Sequence, residues 1–415
     1  MSYLFTNIRQ LIQARTIAPE KVAGKEMANL PCINDAWLRI EGEFIHTFGQ
    51  MNECPEPGND HVIDLAGKLV FPAWCDSHTH IVYAGSRETE FVDKIRGLSY
   101  EQIAANGGGI LNSAAKLHQA SEEELFQQAK GRLDEMIGFG TAAIEIKSGY
   151  GLNTVDELKM LRVIKRLKEN SQIVVKATFL GAHAIPQAFR QNRDGYIREI
   201  IEQMLPVIAE EKLADYCDVF CDKGFFTVEE TDMILAAAAR YGLKAKIHAN
   251  ELDYSGGIQV GVKHQALSVD HLEYTGPAEI EALLASNTMP TLLPSTAFFL
   301  RLKQPPAREM IAAGLPIALA TDYNPGSSPS GNMPFVLSLA CINLRMTPEE
   351  AINAATINSA YAMGLSQTHG SISPGKKANL FVSKDMPSYA YLPYAFGSGR
   401  VHKVMIDGKF QIFEC

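Results

Sequence analysis

Two histidines separated by one residue, His78 and His80, follow an apolar run that ends at Cys75. Residues i and i+2 of a strand project from the same face, so the two imidazoles can converge on one metal ion. Imidazole is a ligand of both zinc and iron. An isolated pair of this kind is more typical of polar residues at a fraying strand end. The metal hypothesis therefore depends on residues further along the chain.

Side chains that can bind metals recur where other apolar runs end. Asp322 follows the last run, and Glu251 comes three residues after a run that ends in a histidine. Random placement would not favour strand ends, so this pattern predicts that the side chains meet in space. Of eleven histidines, the five at such positions are His78, His80, His183, His248 and His271.

Eight β-like runs alternate with helical segments, which predicts a parallel sheet covered by helices. Eight such strands favour a (β/α)8 barrel, whose functional residues lie at the carboxyl ends of the strands. A doubly wound sheet is the alternative, but it calls for a glycine-rich phosphate turn where His78 and His80 stand. The predicted strands are residues 69–75, 141–147, 173–183, 216–226, 243–248, 266–271, 288–294 and 316–321.

Helices are predicted between these strands. Residues 121–138 begin with Ser121 followed by three glutamates, a capping-box pattern, and glycines follow at the other end. A second helix is expected over residues 155–169, and a third begins at Thr227 and ends before Gly242.

Both ends of the chain depart from this rhythm. Residues 1–66 and 374–415 contain short alternating runs, and Asp407 with Gly408 is a hairpin dipeptide. We expect these two segments to pair into one small β-sandwich domain beside a barrel of residues 67–373. The terminal runs are residues 36–41, 44–48, 61–65, 378–383 and 403–413.

Composition restricts the class of protein. The 415 residues are 46% hydrophobic and 20% charged, which is typical of a globular chain. A net charge of −9 without a basic stripe argues against nucleic acid as a partner. No apolar run reaches the roughly 18 residues that span a bilayer, and the start lacks a signal-peptide pattern. Seven scattered cysteines make a disulfide framework improbable, so a cytoplasmic protein with no membrane partner is expected.

Four residues form the predicted metal site: His78, His80, His248 and Asp322. They come from the first, fifth and eighth strands and supply three imidazoles and one carboxylate. A catalytic metal needs such a set together with an open position. Taken singly, His248 is equally compatible with a packed core residue and Asp322 with a loop cap. One divalent ion per chain is expected, Zn²⁺ or Fe²⁺, between which these ligands do not discriminate.

Further motifs accompany these residues over nearly the whole chain. The sequence resembles the amidohydrolase superfamily in its His-x-His pair, its later histidine and its strand-eight aspartate. Within that superfamily it is similar to the imidazolonepropionase family. The narrower resemblance rests on Arg87 and on residues 147–151, 180–183, 248–251, 269–271 and 321–327.

The resemblance implies hydrolysis of the lactam C–N bond of 4-imidazolone-5-propanoate, giving N-formimidoyl-L-glutamate in histidine degradation. It implies a metal-activated water, a proton shuttle at Asp322, and an orienting or oxyanion-stabilising role for His271. Glu251 either binds a ring N–H or acts as the base. The substrate-binding residues it implies are Arg87, Tyr150, His183, Glu251, Asn324, Gly326 and Ser327.

Several alternatives stay open at this point. Arg87 suits a propanoate carboxylate, but a surface ion pair with Glu88 or Glu90 is the other interpretation. Lys147 suggests a carboxylated lysine that bridges two metals, although the resemblance favours one metal. The three glycines at residues 107–109 indicate either a mobile lid over the site or a plain turn. A purine or pyrimidine deaminase, another cyclic amidase and an inactive barrel with a binding role are the rival functions, and a homodimer is expected.

Overall fold

The computed structural model describes residues 1–98, 102 and 108–411 of the chain. Two sheets of eight strands dominate the fold. The first sheet contains β1 (Ser2–Ile12), β2 (Cys32–Glu41), β3 (Phe44–Gln50), β4 (His61–Asp64), β5 (Leu69–Pro72), β14 (Leu380–Ser383), β15 (Val401–Ile406) and β16 (Lys409–Phe410). The second contains β6 (Trp74–Thr79), β7 (Thr141–Lys147), β8 (Val174–Ala182), β9 (Tyr216–Cys221), β10 (Lys244–Ala249), β11 (Ser268–His271), β12 (Met289–Leu292) and β13 (Ala318–Leu319).

The second sheet is the predicted barrel. Strands β6 to β13 follow one another in sequence order and pair in parallel. The ring closes where the Asp322 amide donates to the His78 carbonyl over 3.0 Å and the His80 amide to the Tyr323 carbonyl over 2.9 Å. Strand β7 is buried along its whole length, as expected for a strand covered on both faces. The sequence-based (β/α)8 prediction is confirmed.

Helices cover the barrel and follow their local signals. Ser121 and Thr227 each cap a helix with a complete capping box. The α-helices are α1 (Glu88–Ile95), α2 (Ile110–Gln119), α3 (Glu122–Gly138), α4 (Thr154–Asn170), α5 (Arg193–Glu199), α6 (Leu205–Glu211), α7 (Val228–Ala239), α8 (Gly257–Lys263), α9 (Pro277–Leu284), α10 (Pro294–Leu300), α11 (Ala307–Ala313), α12 (Met333–Ile342), α13 (Pro348–Asn353), α14 (Ser359–Ala362) and α15 (Tyr391–Tyr394). Short 3-10 turns lie at Gly24–Ala28, Met51–Glu53 and Gln187–Phe189, and π-helical turns at Ile200–Met204 and Ala354–Asn358.

The predicted first barrel strand, residues 69–75, is two strands. The part before Ala73 is β5, which pairs with β1 and β14 in the first sheet. The part after it is β6, which pairs with β7 in the barrel. Both parts are fully apolar and buried up to Cys75, so hydrophobicity gave no sign of the change of sheet.

The first sheet joins the two ends of the chain, as expected. Strand β5 pairs with β1 on one side and with β14 on the other, so N- and C-terminal strands share one hydrogen-bonded sheet. Side chains of its strands form a separate apolar cluster, with Phe5, Leu38 and Val382 among the buried members. The boundaries 1–66, 67–373 and 374–415 stay a prediction.

Two further sequence-based expectations concern the glycines at residues 107–109 and membrane-spanning segments. Gly107, the first glycine of the predicted lid or turn, lies outside the described residues. Gly109, at φ 86°, immediately precedes α2. Every helix in the described ranges is too short or too polar to span a bilayer.

Candidate active site

The four predicted metal-binding side chains meet at one end of the barrel. His78 and His80 lie at the end of β6, His248 near the end of β10 and Asp322 just after β13. The Nε2 atom of His80 lies 3.2 Å from that of His78 and 3.4 Å from that of His248. One Asp322 carboxylate oxygen, Oδ1, is 3.5 Å from the Nε2 atoms of both His78 and His80. All four side chains are buried.

The outward-facing nitrogens of two of these rings have carboxylate partners. Asp270 Oδ2 lies 2.7 Å from His78 Nδ1, and Asp218 Oδ2 lies 3.0 Å from His248 Nδ1. An Nδ1–H that donates to a carboxylate leaves the Nε2 lone pair free for a metal, and this arrangement is common around metal-binding histidines.

The protonation state also suits a cation. Burial first, and then nearby basic groups, hold the pKa of His78 and of His80 well below the ordinary value. A neutral His78 whose Nδ1–H faces Asp270 presents its Nε2 lone pair towards His80 Nε2, 3.2 Å away. Converging imidazole nitrogens and a carboxylate oxygen are a donor set that divalent metals bind in proteins, so the residues fit a divalent metal. His78, His80 and Asp322 offer ligand atoms that all lie within 4.8 Å of one another, and so do His78, His248 and His271.

Asp322 is held in place by its neighbours. Its backbone has φ 51°, in the left-handed region, which aspartate tolerates better than most residues. Thr296 Oγ1 donates to its second oxygen over 2.5 Å. On β6, the Asp76 carboxylate accepts from the Thr321 amide over 3.1 Å and the Thr321 hydroxyl over 2.6 Å, which ties the first strand to the last. Burial raises the pKa of Asp322 to about 6.

His271 lies beside the metal-binding cluster, between two glutamates. Its Nδ1 is 3.7 Å from Glu251 Oε2 and 4.0 Å from Glu273 Oε2. Burial, followed by the Asp322 charge, raises the pKa of Glu251, and burial with the Glu251 charge raises that of Glu273. Asp222 Oδ2 accepts from the amide of Glu251 over 2.7 Å and so fixes this turn. Glu273 is a residue that sequence reasoning missed.

Aromatic side chains line another side of the cluster. The His183 ring stacks on that of His80 with centroids 5.4 Å apart and planes at 17°. Tyr150 is buried, and its ring centroid lies 5.6 Å from that of His183 and 6.1 Å from that of His80. Gly149 O lies 3.0 Å from His183 Nδ1 and fixes the ring. Burial lowers the pKa of His183 to about 3, so the ring is neutral. The structure brings both predicted residues to the site.

Arg87 lies on the loop before α1 and reaches the turn after β13. Its Nε and Nη2 donate to Glu90 over 2.9 and 2.6 Å, so the alternative interpretation as an ion pair with Glu90 is realised. The pair is largely buried, however, and Nη1 faces the other way. A Cβ placed on Gly326 would be 2.2 Å from Nη1, so glycine is required for this close approach. Arg87 and Gly326, 239 positions apart in sequence, are thus brought together.

Asn324 organises the turn that contains Gly326 and Ser327. Its Oδ1 accepts from the amides of both residues over 2.8 Å. Its Nδ2 donates to the Asp322 carbonyl and to the Ser327 hydroxyl, each over 2.7 Å. The side-chain amide of Asn324 therefore makes its hydrogen bonds within the turn. It fixes the backbone of Gly326 and Ser327 and is not free to bind a ligand.

A charged cluster fills the barrel directly beneath the histidines. Lys147 Nζ lies 2.6 Å from Glu145 Oε1, 2.8 Å from Asp218 Oδ2 and 3.7 Å from Asp270 Oδ2. Lys246 also pairs with Glu145 and donates to the Ser77 carbonyl over 2.9 Å. All five side chains are fully buried. The roles of Asp218 and Asp270 were not foreseen, because a single acidic residue inside an apolar strand gives no local signal of its partners.

The other six histidines do not join this cluster. His264 pairs with Asp232 at 2.7 Å, and His118 lies 2.7 Å from the Gly151 carbonyl oxygen. His369 is buried at the contact between the first sheet and the barrel, where Asn379 Nδ2 lies 2.9 Å from its Nε2.

Known proteins share this sequence and this fold. Residues 69–410 match the amidohydrolase family. The imidazolonepropionase of Flavobacterium johnsoniae is 60% identical over 409 residues, covering 99% of this chain and all of that protein. The imidazolonepropionase of Alkaliphilus oremlandii is 42% identical over 98% of this chain and 97% of its own length.

Solved structures agree in fold at low identity. Escherichia coli guanine deaminase superposes with a TM-score of 0.76 over the whole of both chains at 15% identity. The 5-methylcytosine deaminase of Klebsiella pneumoniae gives a TM-score of 0.74 at 18% identity, over 99% of this chain and 98% of its own. Likeness at this level concerns the fold alone. By its sequence matches, the chain belongs to the amidohydrolase family and, within it, to the imidazolonepropionases.

Proposed function

We propose that this chain hydrolyses the lactam C–N bond of 4-imidazolone-5-propanoate and releases N-formimidoyl-L-glutamate, a step of histidine degradation. The observation that carries the proposal is a full-length relative named imidazolonepropionase at 60% identity. The buried cluster of His78, His80, His248 and Asp322 supplies the matching chemistry. The chain is a hydrolase that acts on C–N bonds of cyclic amides, as its family membership implies.

The proposed metal ligands are His78, His80, His248 and Asp322. A divalent ion held by these residues would lower the pKa of a water molecule from 15.7 towards ~7 and would polarise a carbonyl group. A single ion is favoured, because Lys147 is surrounded by three carboxylates. A carbamate at that nitrogen would add a further negative charge to the cluster, whereas an ammonium balances it. Zn²⁺ and Fe²⁺ are both compatible with the ligand set.

The anionic end of the substrate is assigned to Arg87. Its guanidinium is held by Glu90 through two nitrogens, with Nη1 directed at the turn of Gly326. A propanoate carboxylate can bind between Arg87 Nη1 and the hydroxyl of Ser327, whose oxygen accepts from Asn324 and whose proton is free to donate. Hydrogen bonds to a charged group are roughly twice as strong as neutral ones. Asn324 contributes by shaping this turn.

The planar ring is assigned to Tyr150 and His183. Their ring centroids lie 6.1 Å and 5.4 Å from that of His80, on the same side of the cluster. Neutral His183 can hydrogen-bond to a ring heteroatom, and Tyr150 offers a face or a hydroxyl. A ring bound in this way would have its lactam carbonyl next to the proposed metal ligands, and positioning of this kind supplies much of an enzyme's rate.

Proton transfer is assigned to Asp322, His271 and Glu251. Hydrolysis adds the elements of water across the C–N bond: the carbonyl carbon gains the oxygen, the bond to the ring nitrogen breaks, and that nitrogen takes a proton. Asp322 is placed to move a proton from water to the nitrogen, and His271 to stabilise the developing oxyanion. Burial and the Asp322 charge raise the pKa of Glu251 to about 8, close enough to neutral pH for the carboxyl group to exchange a proton, as a base or as a group that binds a ring N–H.

The test is turnover of a substrate panel by metal-loaded protein. We expect 4-imidazolone-5-propanoate to be consumed, and hydantoin, dihydroorotate and aminopurines to be poor substrates. Faster release of ammonia from an aminopurine would favour a deaminase instead. Absence of turnover on every substrate, with metal bound, would favour a binding role on an inactive barrel. A homodimer and a cytoplasmic location stay predictions, which size-exclusion chromatography and cell fractionation can check.

A further inference from the structure

The charged cluster beneath the histidines has no direct part in the proposed reaction. Lys147 and Lys246 are fully buried, as are Glu145, Asp218 and Asp270. Buried ion pairs are often less stabilising than apolar residues of similar volume would be. Stability therefore does not explain why five charges occupy the centre of the barrel.

One lysine links the two aspartates that contact metal-binding histidines. Lys147 Nζ lies 2.8 Å from Asp218 Oδ2, and that same oxygen lies 3.0 Å from His248 Nδ1. The other oxygen of Asp218 accepts from the His248 amide over 3.0 Å. The aspartate is thus fixed on three sides, by the lysine, by the imidazole and by the backbone.

The second aspartate is arranged in a similar way. Asp270 Oδ2 lies 2.7 Å from His78 Nδ1 and 3.7 Å from Lys147 Nζ. Ser268 Oγ donates to its other oxygen over 2.5 Å. One ammonium therefore lies between the carboxylates that orient His78 and His248, two ligands contributed by different strands.

We propose that Lys147 is a positioning residue for metal binding. It holds Asp270 and Asp218 so that the Nδ1–H groups of His78 and His248 donate to these carboxylates. The Nε2 lone pairs of both rings then point at the metal. The inference rests on the proposed metal site. Without the ammonium, the two aspartates and Glu145 would repel one another, and each would be free to rotate or to move away from the others. Either change loosens the imidazoles that they orient.

Lys246 provides a matched control on a neighbouring strand. It is as deeply buried as Lys147 and pairs with the same Glu145. Within the described part of the chain, however, its ion pairs do not include Asp218 or Asp270. Replacement of either lysine by methionine removes one buried positive charge that acts on Asp270, but only Lys147→Met also removes the hydrogen bond to Asp218.

The experiment is a titration of metal-depleted protein with Zn²⁺ in competition with a chromophoric chelator. We expect Lys147→Met to bind Zn²⁺ about 10- to 100-fold more weakly than wild type, the usual loss when a group behind a metal ligand is removed. Lys246→Met should stay within a few-fold of wild type. The visible spectrum of Co²⁺-loaded protein should change in Lys147→Met and not in Lys246→Met, because it reports the ligand geometry.

A double variant guards against poor folding of Lys147→Met. Lys147→Met with Asp218→Asn removes one charge of each sign, and its loss of affinity for Zn²⁺ should be smaller than the product of the two single losses, because part of the lysine's effect passes through that aspartate. Losses that multiply would overturn the inference. So would Zn²⁺ binding by Lys147→Met as tight as wild type, or an equal loss in Lys246→Met.

The two proposals fail in different ways. If the wild-type protein does not bind one Zn²⁺ ion per chain, the metal site of the proposed function is wrong. If the wild type binds it and Lys147→Met binds it equally well, only the role of Lys147 is wrong.

Discussion

The barrel centre and the first sheet bury side chains of opposite character. The first sheet closes over an apolar cluster in which Phe5, Leu38 and Val382 have no exposed surface. The barrel centre buries Lys147 and Asp218 just as completely, together with other charged groups. The two regions are joined through consecutive strands, β5 and β6, with only Ala73 between them.

This difference separates stability from function. Burial of an aliphatic side chain contributes about 1.5–3 kcal/mol, whereas a buried ion pair at best compensates for its own desolvation. We therefore expect variants of the first sheet to lower the free energy of unfolding with normal turnover by the folded protein. Variants at the carboxyl ends of the barrel strands should lower turnover and leave the free energy of unfolding nearly unchanged.

Asp322→Ala should give the largest effect, on the functional side of the comparison. It removes a proposed metal ligand that is also the proposed proton shuttle, and general acid–base catalysis alone contributes about 10²–10⁴-fold. We expect kcat for 4-imidazolone-5-propanoate to fall at least 10³-fold, as measured by loss of substrate absorbance. Asp322→Asn is the matched variant, since it keeps the shape. Turnover near wild type in Asp322→Ala would refute the assignment.

Leu38→Ala should affect stability instead. Leucine-to-alanine changes in a packed core cost about 2–5 kcal/mol, and Leu38 is fully buried in β2. The free energy of unfolding from urea titration should fall by that amount, while kcat at low temperature stays at the wild-type value. A large loss of kcat in the folded variant would contradict the division between the two regions.

Arg87→Met and Gly326→Ala form a pair that tests the carboxylate site. Loss of a hydrogen bond to a charged group costs about 1.5–3 kcal/mol, or roughly 10- to 150-fold in kcat/KM. We expect this loss mainly in KM for Arg87→Met. Gly326→Ala keeps the charge but places a Cβ 2.2 Å from Arg87 Nη1, so it should shift KM in the same direction. An unchanged KM in both variants would exclude this site for the propanoate.

His369 should give the smallest effect at neutral pH, and a clear one in acid. Burial lowers the pKa of His369 to about 4, against about 6.5 in an unfolded chain. Between these values the unfolded chain binds more protons, so stability rises with pH in this window and is lost as pH falls, by at most about 1.4 kcal/mol per pH unit. His369→Gln should flatten this slope in urea titrations at pH 5 and pH 7.

His402 is the control for that slope. It is an exposed histidine on β15 whose pKa is lowered slightly by partial burial and by nearby lysines, so His402→Gln should flatten the slope less than His369→Gln. An equal flattening in both variants would show that the slope does not arise from His369. This test sharpens the comparison, because it probes a buried polar group that serves the fold rather than the site.

The sequence predicted most of the barrel because each local signal agreed with the fold. The prediction for residues 141–147 coincides with β7, and the Ser121 capping box begins α3 where expected. The positions of His78, His80, His248 and Asp322 at strand ends follow from barrel geometry once the strands are known. Strand number and strand direction together were enough to bring these four side chains together.

Other features depended on contacts between distant residues. Strand β1 was missed, because Asn7, at φ 53°, interrupts its alternation where the register with β2 shifts. The change of sheet at Ala73 lies inside one apolar run. Asp218 acquires Lys147 and His248 as partners only through the closed barrel, since both residues are distant from it in sequence. Single charged residues in apolar strands are therefore informative once the fold is known, and ambiguous before.

The most direct test of the central claim is a crystal structure of the zinc-loaded protein with anomalous diffraction at the zinc edge. The account predicts one strong peak per chain, within ligand distance of His78 Nε2, His80 Nε2, His248 Nε2 and an Asp322 oxygen. Two peaks bridged by Lys147, or a peak remote from His248 and Asp322, would contradict it.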